Sequence, residues 1–559
     1  MDGAIFQVTA VVVIAVGASW AAARLRIPSI VLLLTVGVIA GAGVGILDPD
    51  ASFGLLLSPF VSMAVGLILF EGGLSLRFRD IKGNHRVLWL LISVGVVITW
   101  ALGAISFEVF VGVPRPIAVL LGAILVVSGP TVIGPILRTV RPSGGVGSVL
   151  KWESIVIDPI GAGLAVLVAE FLLASDESQV GIFSQVATFA GAGIMAGLIV
   201  AIPTTFAIRR HLIPERLVPL VGLAAAMIAF AGADAIISES GLLATTVLGL
   251  VLANNPRLRT EPIVEFSEVI QVLLVGVLFV LLSARLTREQ LGSISLGVIG
   301  VILVLGLVAR PLGVALSTWG SKMPRPERIL LAGVAPRGIV AAAVASVFAL
   351  ELEEAGVDGA ELLTPLAFAV IVATVLIYGF GAGPLARRLG LADKSNQGVL
   401  IVGAGWVERE IGRALNDADV PVVFASTNRR DESALRMLGY RTYYGNLVEK
   451  EIPNDLDLSG IGRLLALTPN DEVNTLSARR FTELFGSGET FQLAPQSLGP
   501  GIGRTVADIG GRRLFNDHLT YPELNRRFNS GEKVRRTTLG KAFTGDNFNE
   551  ALGEGGQIL

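Results

Sequence analysis

Cysteine is absent from this chain. That excludes disulfides, thiolate catalysis and cysteine-held metals. Histidine occurs only at His85, His211 and His518, all in polar connecting or soluble stretches. Proton chemistry inside apolar segments must therefore fall to carboxylates. Charge is scarce as well: 16% of the residues are charged, 52% are hydrophobic, and the net charge is −2. Such a composition is too apolar for a soluble protein of 559 residues, and it offers no basic surface for nucleic acid. The first apolar run follows Met-Asp-Gly without the basic region of a cleaved leader, so it is expected to be retained.

What is present is a series of long uncharged runs up to about residue 390, most near the ~20 residues that cross a bilayer. They predict about thirteen spans, at 4–22, 28–47, 55–75, 88–111, 116–137, 152–174, 182–207, 217–236, 240–253, 266–284, 294–319, 328–350 and 362–386. Loops after the odd spans hold 20 Lys and Arg, including Arg26, Arg77, Arg79, Lys82, Arg141, Arg209, Arg210 and Lys394. Loops after the even spans hold three, Arg115, Arg285 and Arg288, beside acids such as Asp48, Asp176, Glu177 and Glu353. The positive-inside rule then places the N-terminus outside and everything beyond residue 387 in the cytoplasm.

An odd number of spans lets two halves of six run in opposite senses around a lone seventh. Inverted repeats of this kind carry their site near mid-membrane, at discontinuous helices in matching positions. The fifth span of the first half contains Ser128-Gly-Pro-Thr-Val-Ile-Gly-Pro135, and its counterpart contains Ala335-Pro-Arg-Gly-Ile339. Both are expected to unwind, since proline removes a helix hydrogen bond.

Ionisable residues within spans are costly and mark function. Asp158 precedes an uncharged run, and Ser154 stands four residues before it, on the same helix face. A hydroxyl and a carboxylate so placed suit a small hard cation or a proton, with Asp158 as the cation ligand. Glu71 lies at a similar depth from the cytoplasmic edge and can face the same cavity. Arg310 and Arg337 also lie within spans, and a buried arginine needs a carboxylate. Glu153 is the natural partner, with Arg337 favoured for the pair and Arg310 held in reserve.

Five ordered stretches together resemble the cation:proton antiporter-1 family: Phe70-Glu-Gly-Gly-Leu-Ser-Leu76, Ser128–Pro135, Glu153-Ser-Ile-Val-Ile-Asp-Pro-Ile-Gly161, Ser240-Gly-Leu-Leu-Ala244 and Ala335–Ala343. The resemblance implies that Asp158 alternately binds cation and proton. It implies too that Ser154, Glu71 and the backbone at Ser128 shape the cation site, and that Glu153 pairs with Arg337. Many relatives have Asn-Asp where this chain has Ile157-Asp158, and Thr-Asp-Pro where it has Ser128-Gly129-Pro130. The loss of an amide and a carboxylate suits a larger, less strongly hydrated ion such as potassium. With one transport carboxylate, one-for-one exchange would be electroneutral.

Beyond Gly398 charges become frequent. Val399–Val402 reads as a buried strand, Gly403-Ala-Gly405 as a turn, Glu408–Asp417 as a helix and Val420–Ala425 as a second strand. This is a dinucleotide-binding order, although Glu408 stands at the third glycine position and Ser426 where a ribose-binding acid is expected. With Gly439–Asn446 and Ala466–Asn474, the unit resembles the TrkA-N (RCK) regulatory domain. The resemblance implies a regulatory nucleotide or dinucleotide at Gly403, Gly405, Ser426 and Arg429.

The expected fold is thus an all-α polytopic membrane domain over 1–390, with inverted repeats and two broken helices. A Rossmann-like α/β cytoplasmic domain follows over 396–487, then a small appendage over 488–559. The expected protein is a homodimer in the plasma (inner) membrane. It would exchange sodium or potassium for protons under control of the cytoplasmic domain. A cation channel gated by an RCK domain is the rival reading. No catalytic acid–base set accompanies the glycines, so no enzyme is expected.

Overall fold

The computed structural model describes residues 2–534 apart from 26, 141, 143, 174–181, 293–294, 392–396, 448–455, 457, 459, 497–509 and 517. Arg26, Arg141, Asp176, Glu177 and Lys394 of the loop tally, and residues 535–559 of the expected appendage, lie outside the described residues. The chain forms two compact units, Met1–Leu391 and Ala392–Leu559.

The first unit is built of helices. In chain order these are α1 (Asp2–Leu25), α2 (Ser29–Val38), α3 (Leu57–Leu74), α4 (His85–Val111), α5 (Arg115–Ile124), α6 (Pro130–Val140), α7 (Val146–Leu173) and α8 (Ile182–Arg209). There follow α9 (Val218–Asp234), α10 (Ser240–Ala253), α11 (Glu261–Ala284), α12 (Gly297–Ser317), α13 (Arg325–Ala332), α14 (Ile339–Glu354) and α15 (Leu363–Arg388). Among the described residues, nine helices are long and apolar enough to cross a membrane. The expected spans at 28–47, 116–137, 240–253 and 328–350 are instead represented by shorter or interrupted helices.

The interruptions follow from the sequence. The backbone leaves the helix over Leu125–Gly129, between α5 and α6, and over Gly333–Gly338, between α13 and α14. Pro130 opens α6, where a missing N–H costs nothing. At 10 and 11 residues, α5 and α6 each reach only ~15 Å, about half a hydrocarbon core. In α12, Pro311 cannot donate to the carbonyl one turn back, and the helix widens into a π turn over Leu305–Ala309, just before Arg310.

The two interruptions cross each other at glycine. A Cβ built on Gly129 would lie 2.4 Å from the Gly338 Cα, and one on Gly338 would lie 2.3 Å from the Gly129 Cα. Lipid supplies no hydrophobic drive between helices, so such close backbone approach is what holds them. The same device brings α10 onto α3, where a Cβ on Gly249 would lie 2.4 Å from the Phe70 carbonyl oxygen.

The second unit is a parallel sheet with helices. Its elements are β1 (Gly398–Val402), α16 (Trp406–Asp417), β2 (Val422–Ser426), α17 (Arg429–Met437), β3 (Arg441–Tyr444), β4 (Ile461–Ala466), α18 (Asp471–Phe485), β5 (Thr490–Gln492), β6 (Arg512–Arg513) and α19 (Tyr521–Asn529). The strand order is β3-β2-β1-β4-β5-β6, with every pair parallel. Alternation along β1 sends Val399 and Ile401 into one apolar layer and Leu400 and Val402 into the other. The expected boundary at 487/488 falls inside this sheet. β5 and β6 extend it, and Leu514, Leu519 and Leu524 complete one of its layers. Strands of three and two residues carry too little periodicity to announce themselves.

Gly338→Ala should drive a methyl into the Gly129 backbone and cost about 1–3 kcal/mol as overpacking. Gly134→Ala, whose Cβ meets nothing within 4 Å, is the control. Thermal unfolding of the purified protein should show a lower midpoint for the first variant and no loss for the second.

Candidate functional site

The crossing of the two interruptions leaves helix ends inside the unit. The last turns of α5 and α13 have carbonyls with no helical partner, and water is not there to take them. Two arginines do. Arg337 Nη1 donates to the Val126 carbonyl at 3.0 Å and the Val127 carbonyl at 3.5 Å. Arg310 Nε donates to the Leu331 carbonyl at 3.1 Å, and its Nη2 to the Val334 carbonyl at 3.2 Å. Each break is therefore capped by a guanidinium, which also opposes the negative end of the helix dipole.

The partner of Glu153 is corrected by this geometry. Its carboxylate forms a bidentate pair with Arg310, through Nη1 to Oε1 and through Nη2 to Oε2 at 2.9 Å. Arg337 lines the same narrow cavity as Glu153, Arg310 and Ile157, but its Nη1 donates to backbone, its Nε to nothing, and its amide to Thr374 Oγ1 at 3.2 Å. The expected Glu153–Arg337 pair gives way because the Arg310 fork reaches both the carbonyls freed at its break and the Glu153 carboxylate, while Arg337 Nη1 is taken by Val126 and Val127. Sequence spacing shows a broken helix but not where its open carbonyls point.

Asp158 is on α7, with 0% of its surface exposed and both carboxyl oxygens without a hydrogen-bond partner. Gly161, one turn further along, packs on the first break, where its Cβ would lie 2.3 Å from Val127 Cγ2. Ser128 Oγ and Thr131 Oγ1, in and just after that break, are also buried and unpartnered. Thr131 was not anticipated; its only sequence signal is its place beside Pro130. Ser154 is buried but donates to the Lys151 carbonyl of its own helix at 3.0 Å, leaving its oxygen lone pairs for anything else. Glu71 is buried on α3, which meets α7 where a Cβ on Gly72 would lie 3.2 Å from Ile155 Cγ2.

An ionised carboxylate without a partner in this setting is expensive. Asp158 must carry a proton or face a cation whose other ligands are neutral oxygens. Hydroxyls and unwound carbonyls are the hard donors that alkali cations take. Among the described residues, no group of three or more His, Cys, Asp or Glu side chains is placed to hold a metal ion.

In the second unit the expected nucleotide residues are engaged by groups of the chain itself. Gly403 has φ +118°, as a glycine turn requires, and α16 begins just after Gly405. The space a phosphate would take, however, holds the Glu408 carboxylate, which lies against both glycines. Ser426 Oγ accepts the Asn428 amide at 3.0 Å, and Arg429 stacks over the Tyr444 ring at 5.7 Å. A phosphate at Gly403 and Gly405 would meet a carboxylate of its own sign.

The pairing is testable by double-mutant cycles on thermal stability. Glu153→Gln with Arg310→Met should be non-additive by about 0.5–3 kcal/mol, as for residues in contact, and the coupling of Glu153→Gln with Arg337→Met should be the smaller of the two.

Comparison with known proteins gives the family of the first unit. The family described as "Sodium/hydrogen exchanger, transmembrane" matches residues 10–388. The chain is 28% identical over 397 residues to "Na(+)/H(+) antiporter 1" of Methanocaldococcus jannaschii, covering 66% of this chain and 91% of that protein. It is 26% identical over 396 residues to "K(+)/H(+) antiporter NhaP" of Alkalimonas amylolytica, covering 69% of this chain and 66% of the relative. The solved structure of the sodium proton antiporter of Methanocaldococcus jannaschii superposes with a TM-score of 0.62 at 27% identity, covering 69% of this chain and 98% of that one.

Proposed function

The chain belongs to the sodium/hydrogen exchanger family, a family of transporters, and we propose that it exchanges protons for a monovalent cation, sodium or potassium. The observation that carries this reading is Asp158: a fully buried carboxylate with no hydrogen-bond partner, one turn before the point where its helix packs on the first break, which itself holds buried, unpartnered hydroxyls. Proton and cation compete for that carboxylate, so loading one requires release of the other. Glu71 and the backbone at Ser128 complete the environment of the cation, and Ser154 lends its lone pairs. Arg310, Arg337 and Glu153 hold the scaffold and bind no cargo.

Ile157 stands next to Asp158 and offers no second acid. One carboxylate serving both ions in turn exchanges one cation for one proton, which moves no net charge. Relatives carry names of both Na(+)/H(+) and K(+)/H(+) antiporters, and the apolar neighbour of Asp158 favours potassium, the ion that is easier to dehydrate.

The chain is taken to cross the bilayer thirteen times, the two broken segments each making one crossing. Polar contacts between loops support this. Arg285 pairs with Asp50 at 3.1 Å, joining loops after the tenth and second spans. The Phe78 amide donates to Asn254 Oδ1 at 2.8 Å, joining loops after the third and ninth. The Gly145 amide donates to Glu327 Oε2 at 3.1 Å, joining loops after the fifth and eleventh. Even meets even and odd meets odd. With the basic residues on the odd side, the N-terminus is outside and the second unit cytoplasmic. The parallel order β3-β2-β1-β4-β5-β6 is that of a Rossmann-like fold. This supports a regulatory unit like the TrkA-N (RCK) domain; the carrier is taken to be a homodimer.

In proteoliposomes loaded with a pH-sensitive dye, sodium or potassium addition should drive proton flux in the wild type. Asp158→Asn should abolish that flux with both ions while the protein still reconstitutes. An imposed membrane potential should leave the wild-type rate unchanged. Retained exchange by the variant would overturn the mechanism, and a rate that follows the potential would overturn the stoichiometry.

A further inference from the structure

In the second unit, the turn Gly403-Ala404-Gly405 between β1 and α16 forms a crook of the kind that takes an anion at a helix N-terminus. That crook already holds a carboxyl. A Cβ built on Gly403 would lie 2.6 Å from Glu408 Oε1, and one on Gly405 2.7 Å from Glu408 Oε2. The Glu408 side chain is 1% exposed, although it sits in the first turn of α16, where a carboxylate normally reaches water. Its Oε2 completes no hydrogen bond, while the Gly405 and Glu408 amides lie close enough to favour its charged form.

The crook is closed from three sides. Arg409 Nε donates to the Ala404 carbonyl at 2.8 Å and its Nη2 to Asp431 Oδ1 at 2.8 Å, pinning the turn to α17. From α19, the Tyr521 hydroxyl would be 3.4 Å from a Cβ on Gly405, so it covers the open face. The residues that bring Tyr521 there, Leu519 and Leu524, are buried in the same apolar layer as Val407 and Ile411 of α16.

We propose that the crook at Gly403–Gly405 is a closed anion site, filled by this chain's own Glu408 carboxyl under Tyr521, and that it answers to the proton on that carboxyl instead of to a nucleotide. The position that would carry a third glycine in a dinucleotide turn carries the group that takes the phosphate's place.

The direction of the response follows from the groups around the carboxyl. Burial is the largest influence and pushes Glu408 up from its ordinary 4.5 to about 7; Asp431 on α17 pushes the same way, while Arg409 and the two amides pull it down. Tyr521 is held up at about 12, first by burial and then by the charge of Glu408, so it faces the site as a neutral hydroxyl. An acid raised in the folded state binds its proton more tightly there than when exposed. The closed arrangement is therefore fully stabilised below about 4.5, and that contribution is lost as pH rises through about 7.

The test is hydrogen exchange with mass spectrometry on the full-length protein in detergent, following peptides over 403–411 and correcting for the intrinsic pH dependence of exchange. Protection in the wild type should fall about tenfold between pH 6 and pH 8, as a group titrating near 7 and released to 4.5 requires. Glu408→Gln keeps the shape and removes the proton equilibrium, so its corrected protection should be flat across that range. ADP, ATP or NAD at millimolar concentration should leave the wild-type peptides unchanged. Equal pH slopes in the two proteins, or a nucleotide-dependent rise in protection at 403–411, would overturn the proposal.

Discussion

The first unit depends on one constraint: inside a membrane, a carbonyl released by a broken helix has no water to bond. Both breaks release such carbonyls, and the chain answers each with a buried guanidinium, Arg337 at Val126 and Val127 and Arg310 at Leu331 and Val334. Two buried cations then need anions. Glu153 neutralises Arg310 directly. Asp158, with neither oxygen bonded, remains as the carboxylate whose charge the scaffold does not consume. The breaks thus create the site twice over. In the proposed exchange they open oxygens for a cation, and they bring in the guanidinium that makes the buried Glu153 tolerable.

Division of labour among the acids follows. Glu153 and Asp158 are five residues apart on α7, yet one meets a fork of donors and the other has no hydrogen-bond partner. A carboxylate locked into a bidentate pair cannot exchange its partner without leaving a bare guanidinium. An unpaired one can trade a proton for a cation at little structural cost. In the proposed exchange, alternation between the two loads is confined to Asp158, while the Gly129–Gly338 crossing fixes the backbone of the two breaks. The second unit repeats the theme with the opposite sign. There a helix N-terminus supplies open amides, and Glu408 answers them from within the chain.

Much of this was legible in the sequence. Apolar runs, the Gly-Pro interruptions at 128–135 and 335–339, and a lone Asp158 within an uncharged stretch each follow from local rules of hydropathy and proline geometry. The strand–turn–helix opening at Val399–Asp417 was equally readable, because a buried parallel strand is a continuous apolar run. β5 and β6 were not, since strands of three and two residues draw their stability from neighbours already in the sheet.

Sequence by itself determined that the chain is a polytopic membrane protein with two interrupted helices and one intramembrane aspartate, because hydrophobic length and backbone chemistry are local properties. Tertiary structure decided who meets whom. Sequence favoured Arg337 over Arg310 for Glu153, and only the packing, which puts the Arg310 fork on that carboxylate, reversed the choice. Glu408 read as a missing glycine, and only the fold of its side chain back over Gly403 and Gly405 revealed it as the occupant. A residue's kind is written in the chain, but the partner of a buried charge is chosen by whichever donors and acceptors three-dimensional packing leaves open beside it.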